Sequence, residues 1–107
     1  MKKRQYQIVI VNLDPTVGSE IRKIRPCLII SPDEMNKYLS TITIAPITST
    51  SKDHPTRVKF ILNGNPSWIA LDQIRTIDNS RIIKSTGELS QKEIRKVKTI
   101  IKEIFVD

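Results

Sequence analysis

Two apolar, β-branched runs, Ile8 to Leu13 and Cys27 to Ile30, flank a polar stretch that begins and ends on proline, Pro15 to Pro26. Such runs read as strands, and a segment marked by Pro and Gly reads as the loop between them. In the first run Tyr6, Ile8 and Ile10 share one face and Val9, Val11 and Leu13 the other. Both faces are apolar, so this strand is expected at the centre of a sheet or clamped between layers. Thr41 to Ile47 alternates with period two, Arg57 to Leu62 and Trp68 to Ile77 read as further strands, and Arg81 to Ile83 as a short one. Asn63-Gly64-Asn65-Pro66 and Lys84 to Glu88 read as turns. Proline has no N–H to give a ladder. Pro26 is therefore expected at the start of its strand, and Pro46 at a strand end or bulge.

Two segments carry helix starts. In Ser31-Pro32-Asp33-Glu34, Ser31 can cap, Pro32 suits the first helical position and Glu34 can complete a capping box, which predicts a short helix over Pro32 to Lys37. Ser90-Gln91-Lys92-Glu93 is a second capping box, leading into a helix from Gln91 to about Phe105. Its apolar stripe is Ile94, Val97, Ile101, Ile104 and Phe105, with Lys92, Arg95, Lys96, Thr99, Lys102 and Glu103 turned largely away. Short strands followed by one terminal helix predict a single mainly β domain (β+α), a small antiparallel β-barrel or curled sheet with a helix packed on it. A chain of this size gains from burying a face against a partner subunit.

Composition narrows the chemistry. The chain has 107 residues, one Cys and one His, and 18 Lys and Arg against 11 Asp and Glu, a net charge of +7. That excess is spread along the sequence and suits a polyanion or an acidic protein partner. One Cys allows no internal disulfide, and no apolar run is long enough for a signal-peptide core or a membrane span, so a cytoplasmic protein is expected. A single His, His54 in a polar loop, excludes a His–His acid–base pair within one chain, and one His with one Cys makes no recognisable zinc set. Gly18, Gly64 and Gly87 are isolated and form no phosphate loop. Cys27, behind a proline in an apolar run, reads as a small buried residue rather than a nucleophile. With only five aromatic residues, base stacking would rest on few side chains; Trp68 is a candidate, although a core or interface role suits it better.

The loop after the first strand packs Ser19, Glu20, Arg22, Lys23 and Arg25 into a few positions. The run Leu13-Asp14-Pro15-Thr16-Val17-Gly18-Ser19-Glu20 with Arg25-Pro26 resembles the start of MazF/PemK-type toxins of bacterial toxin–antitoxin systems. Ala45-Pro46-Ile47-Thr48-Ser49, Leu71-Asp72-Gln73-Ile74-Arg75-Thr76-Ile77-Asp78 and Gly87-Glu88-Leu89-Ser90 agree with that family in the same order. The resemblance implies an SH3-like barrel with a C-terminal helix, of CcdB/MazF type, working as a homodimer. It also implies a metal-independent, sequence-specific endoribonuclease of single-stranded RNA that needs no cofactor. Its products would end in a 2′,3′-cyclic phosphate or 3′-phosphate and a 5′-hydroxyl.

The residues suit that chemistry. A ribose 2′-OH can attack its own phosphate, so the protein must align it and hold the developing charge. By the resemblance, Arg25 and Thr48 match the catalytic Arg and Thr: Arg25 would grip the phosphate oxygens with its fork and take part in proton transfer, and Thr48 would donate to the phosphoryl oxygen. A guanidinium hardly deprotonates, so Arg25 is a poor strong base. Ser19 and Glu20 resemble residues of the family's RNA-contacting first loop. Asp72 and Gln73, read as neighbours on a strand, should face opposite ways, so at most one would join Arg25. Arg57, Lys59 and Arg75 are candidate contacts to the RNA backbone. An acidic antitoxin with a disordered segment, ordered on binding, is the expected partner. Two rivals share the fold. A toxin that poisons gyrase without catalysis is disfavoured, because such CcdB toxins resemble each other in a C-terminal Trp-Gly-Ile, which Ile104-Phe105-Val106-Asp107 lacks. A catalytically dead binding barrel is disfavoured by Arg25 and Thr48 standing together.

Overall fold

The computed structural model describes residues 2–14, 18, 23–50 and 53–106. Seven strands form one antiparallel sheet: β1 Gln7–Asn12, β2 Ile24–Ile29, β3 Thr41–Thr48, β4 Arg57–Leu62, β5 Asn65–Ala70, β6 Arg75–Asp78 and β7 Ile82–Glu88. Their order is β4-β5-β3-β2-β1-β7, with β6 also paired to β3. The sheet curls into a half-barrel, and helix α2, Gln91–Ile101, packs on one of its faces. As its two apolar faces require, β1 is central, paired to β2 on one edge and β7 on the other. Ile8 joins a core with Leu28, Ile47, Val58, Phe60, Ile69 and Val97 of α2, whereas Val9, Val11 and Leu13 join a second core with Cys27, Ile29, Ile42, Ile44 and Ile77.

Three prolines explain where this sheet is left unzipped. Leu13 N donates to Lys23 O at 3.0 Å, so in the alternating β1–β2 ladder Val11 and Arg25 form a bonded pair and Ile10 and Pro26 do not. The Pro26 nitrogen therefore faces β3, and the β2–β3 ladder begins only at Cys27 opposite Pro46. Pro26 is thus the third residue of β2, not the first: its other edge needs no N–H from it. Ile30 N donates to Thr43 O at 2.9 Å, which turns the Pro46 nitrogen away from β2. That is where β3, inside its run rather than at its end, changes partner. Thr41 to Ile44 pair with β6, and only Ile47 and Thr48 pair with β5. Pro66 repeats the device. Leu71 N donates to Thr56 O at 3.1 Å, so Phe60 and Ser67 are bonded, Ile61 and Pro66 are not, and the Pro66 nitrogen points toward β3.

Other expectations are corrected. The turn after β4 is only Asn63-Gly64, both at positive φ (51° and 82°), as a tight hairpin of this kind requires, and Asn65 and Pro66 already belong to β5. Trp68 to Ile77 is not one strand, because a 3-10 turn, Leu71–Gln73, breaks it into β5 and β6. Lys84 to Glu88 is not a turn: it continues β7, held by the free edge of β1. Helix α1, Asp33–Tyr38, starts without a side-chain cap. Ser31 instead donates to Asn36 Oδ1 at 2.5 Å and accepts from Thr43 N, tying the helix to β3.

The capping box of α2 forms as read, with Ser90 Oγ accepting from Glu93 N and Glu93 accepting from Ser90 N. Beyond Ile101 the turns widen into a π-helical end, Lys102–Val106. There the apolar stripe leaves the core: Val97 is fully buried and Ile94 and Ile101 partly so, whereas Phe105 is 60% exposed. Among the described residues no helix is long and apolar enough to cross a membrane.

Candidate active site

Arg25 and Thr48 lie at the ends of the two strands that Pro26 keeps from zipping together. Cys27 stands opposite Pro46. Arg25 lies two residues before Cys27 and Thr48 two after Pro46, so their side chains leave the same face of the sheet. Both line a cleft of about 510 Å³, whose other walls are Ser49 and the β4–β5 hairpin from Leu62 to Ser67. The cleft occupies the gap that Pro26 and Pro66 leave in the ladders. Thr48 is nearly buried, and its Oγ1 accepts from Thr50 N at 3.3 Å, which fixes the hydroxyl at the mouth of the turn.

The same face carries more charge. Arg75 stands opposite Ile44 in β3, and the row Thr48–Trp68–Lys59 crosses β3, β5 and β4. Lys59 Nζ sits 5.5 Å from the centre of the Trp68 ring, a cation–π distance. Trp68 belongs to neither core; it is half-buried, and its Nε1 donates to Asp53 at 3.2 Å. The Nη1 atom of Arg75 is buried without a hydrogen-bond partner among the described residues. Arg75 and Arg25 both send their charge toward Cys27, yet burial outweighs them and pushes that thiol up to about 12. A fully buried, protonated thiol is inert. Iodoacetamide at pH 8 should therefore leave Cys27 unmodified in the native protein and label it on urea denaturation, as mass spectrometry would show. Native labelling at the denatured rate would mean that β2 opens readily.

Other candidates fall elsewhere. Asp72 and Gln73 lie in the 3-10 turn, so the alternation expected of strand neighbours does not apply to them. Asp72 is turned to Arg57, which grips it with two donors at 3.1 and 3.2 Å, and Thr56 adds a third bond. Burial works to raise the Asp72 pKa, but the hydrogen bond and charge of Arg57 prevail and hold it below the ordinary carboxylate value. Arg57 is thereby engaged in an ion pair with Asp72. Gln73 is half-buried and, like Asp72, Arg57, Lys59 and Arg75, does not line the cleft. Ser19 and Glu20 lie outside the described residues. His54 is exposed, bonded to Thr56, as its polar loop suggested. Asn63, Asn65 and Ser67 line the cleft and were missed. Asn-Gly announced the hairpin, but nothing local said that its tip would fold back to Arg25. No three His, Cys, Asp or Glu side chains gather among the described residues.

A curled antiparallel sheet with one C-terminal helix is the architecture of solved MazF toxins. The chain superposes on MazF from Deinococcus radiodurans with a TM-score of 0.88 at 23% identity, covering 100% of this chain and 99% of that one. It superposes on the Mycobacterium tuberculosis toxin MazF-mt6 with a TM-score of 0.79 at 28% identity, covering 94% and 96%. A chain of the MazE–MazF complex from Deinococcus radiodurans matches at 0.82 and 23%, covering 99% and 97%. In sequence the chain is 36% identical over 105 residues to the endoribonuclease MazF of Staphylococcus saprophyticus, covering 92% of this chain and 87% of that protein. Residues 4–105 match the family described as PemK-like, MazF-like toxins of type II toxin–antitoxin systems, and the chain belongs to that family.

Proposed function

We propose that this toxin is a metal-independent, sequence-specific endoribonuclease of single-stranded RNA. The observation that carries the reading is the placement of Arg25 and Thr48 in one cleft, on a face that also bears Arg75 and Lys59. In the proposed reaction the ribose 2′-hydroxyl gives up its proton as its oxygen attacks the adjacent phosphorus, the bond to the 5′-oxygen breaks, and that oxygen takes up a proton and leaves as a 5′-hydroxyl. The other product ends in a 2′,3′-cyclic phosphate. Arg25 places two donors on the non-bridging oxygens as they gain charge, and Thr48 Oγ1 supplies a hydroxyl donor to the phosphoryl oxygen. Lys59, beside Trp68, and Arg75, on the same face, are the proposed contacts to the flanking backbone.

The test is cleavage of a long RNA in excess EDTA, with the ends mapped. Cutting at defined sites should continue and leave 5′-hydroxyl ends. Loss of cutting that a divalent ion restores would overturn the mechanism. Two further parts of the proposal concern assembly. The exposed Ile104, Phe105 and Val106 at the end of α2 give a second copy an apolar surface to cover, which supports a homodimer. An acidic antitoxin with a disordered segment is the proposed inhibitor, its carboxylates entering the cleft in place of phosphate. Added salt should slow its association.

A further inference from the structure

A second groove, of about 530 Å³, runs between β4 and α2, and none of its lining residues lines the Arg25 cleft. Val58 and Ile100 give it apolar surface, and Lys59, Lys92, Arg95 and Lys96 rim it together with Arg57. No carboxylate lines it. The ion pairs among the described residues are Arg4–Glu88 and Arg57–Asp72, so Lys92, Arg95 and Lys96 meet no acidic partner there.

The strand beside the groove is also open. β4 ends the sheet order, with β5 on one edge only. Thr56, through the bond from Leu71 N, sets the alternation, so the amides of Lys59 and Ile61 point away from β5. On the helix side the rim runs from Lys92 to Thr99, roughly 10 Å at 1.5 Å per residue, the span of about three extended residues.

We propose that this groove binds a short, extended, acidic and aliphatic peptide segment that adds as a strand to the outer edge of β4. Its backbone takes the outward N–H groups of β4, alternate aliphatic side chains meet Val58 and Ile100, and carboxylates meet Lys92, Arg95 and Lys96. Single-stranded RNA is the poorer occupant, because no aromatic ring lines the groove to stack a base. The inference rests on charge and the open strand edge, not on the nuclease reading.

The probe is a synthetic decapeptide of alternating Glu and Leu, titrated against the full chain at fixed salt and followed by calorimetry and amide exchange. Binding should slow exchange at Lys59 and Ile61. The triple variant Lys92→Glu, Arg95→Glu, Lys96→Glu lies on exposed helix positions and should keep the circular dichroism of the parent. Losing three surface ion pairs should weaken the peptide by roughly tenfold or more. A second variant, Lys59→Pro, removes an outward donor and should weaken the peptide even with every helix charge in place. Equal peptide affinity in parent and triple variant overturns the proposal. So does a triple variant that keeps the peptide but loses affinity for a non-cleavable RNA, since the groove would then be an RNA track.

Discussion

Arg25→Ala should reduce RNA cleavage by roughly a hundred- to a thousandfold, the cost of removing one well-placed donor from a developing oxyanion. The change should leave the fold intact. Arg25 is partly exposed at the end of β2, and its backbone, not its side chain, pairs with Val11. Truncations at such positions usually change stability little. Single-turnover cleavage of a fluorescent RNA and a thermal melt of the same sample separate the two effects. Arg25→Lys keeps the charge but loses the planar fork, so it should recover only a small part of the rate. A variant that melts like the parent and cuts at the parent rate would remove Arg25 from the reaction. In that case the cleft would have to act through Thr48 and the hairpin alone.

The second large effect concerns the helix. Val97 is the one fully buried residue of α2, pressed into the core with Val58, Phe60 and Leu89. Val97→Asp would place an unpaired carboxylate there, at a cost of roughly 3–5 kcal/mol. A domain of this size has only about 5–15 kcal/mol to lose. The expected outcome is a large fall in melting temperature, with α2 detached or the chain unfolded. Val97→Ala should cost far less, because it removes only two methyl groups. Equal melting of the two variants would mean that α2 contributes little to the fold.

How much of this was readable beforehand depended on whether a signal was local. The Ser90–Glu93 box and the stripe through Val97 announce the start of α2 to the residue, though not its widened end, because caps and helical period lie within a few positions of one another. Arg57 to Leu62 appeared as a strand with its exact ends. The prolines misled. Locally Pro26 suits a strand start, Pro46 a strand end or bulge and Pro66 a turn, yet each sits inside a strand. Which edge a proline faces depends on ladder alternation, and that in turn depends on partners distant in sequence. Only the start of β7 is legible, for a related reason: Lys84 to Glu88 has no apolar alternation, and only the open edge of β1 makes it a strand. In the cleft, Arg25 and Thr48 came from a resemblance. The ion pair between Arg57 and Asp72 depends on the 3-10 turn, which no local pattern marks.

One seam in the sheet has a mechanical meaning. The β4–β5 hairpin joins the rest of the sheet through two rungs only, Ile47 with Ile69 and Thr48 with Trp68. A joint that short resists twisting far less than the long seam between β1 and its neighbours. Any swing of the hairpin must turn on that joint, and Thr48 is part of its pivot. Because Leu62 to Ser67 form the far wall of the cleft, a small rotation at the pivot becomes a larger change of width at the tip. The hydroxyl at the hinge would scarcely move while the wall opposite it opens and closes on the strand between them.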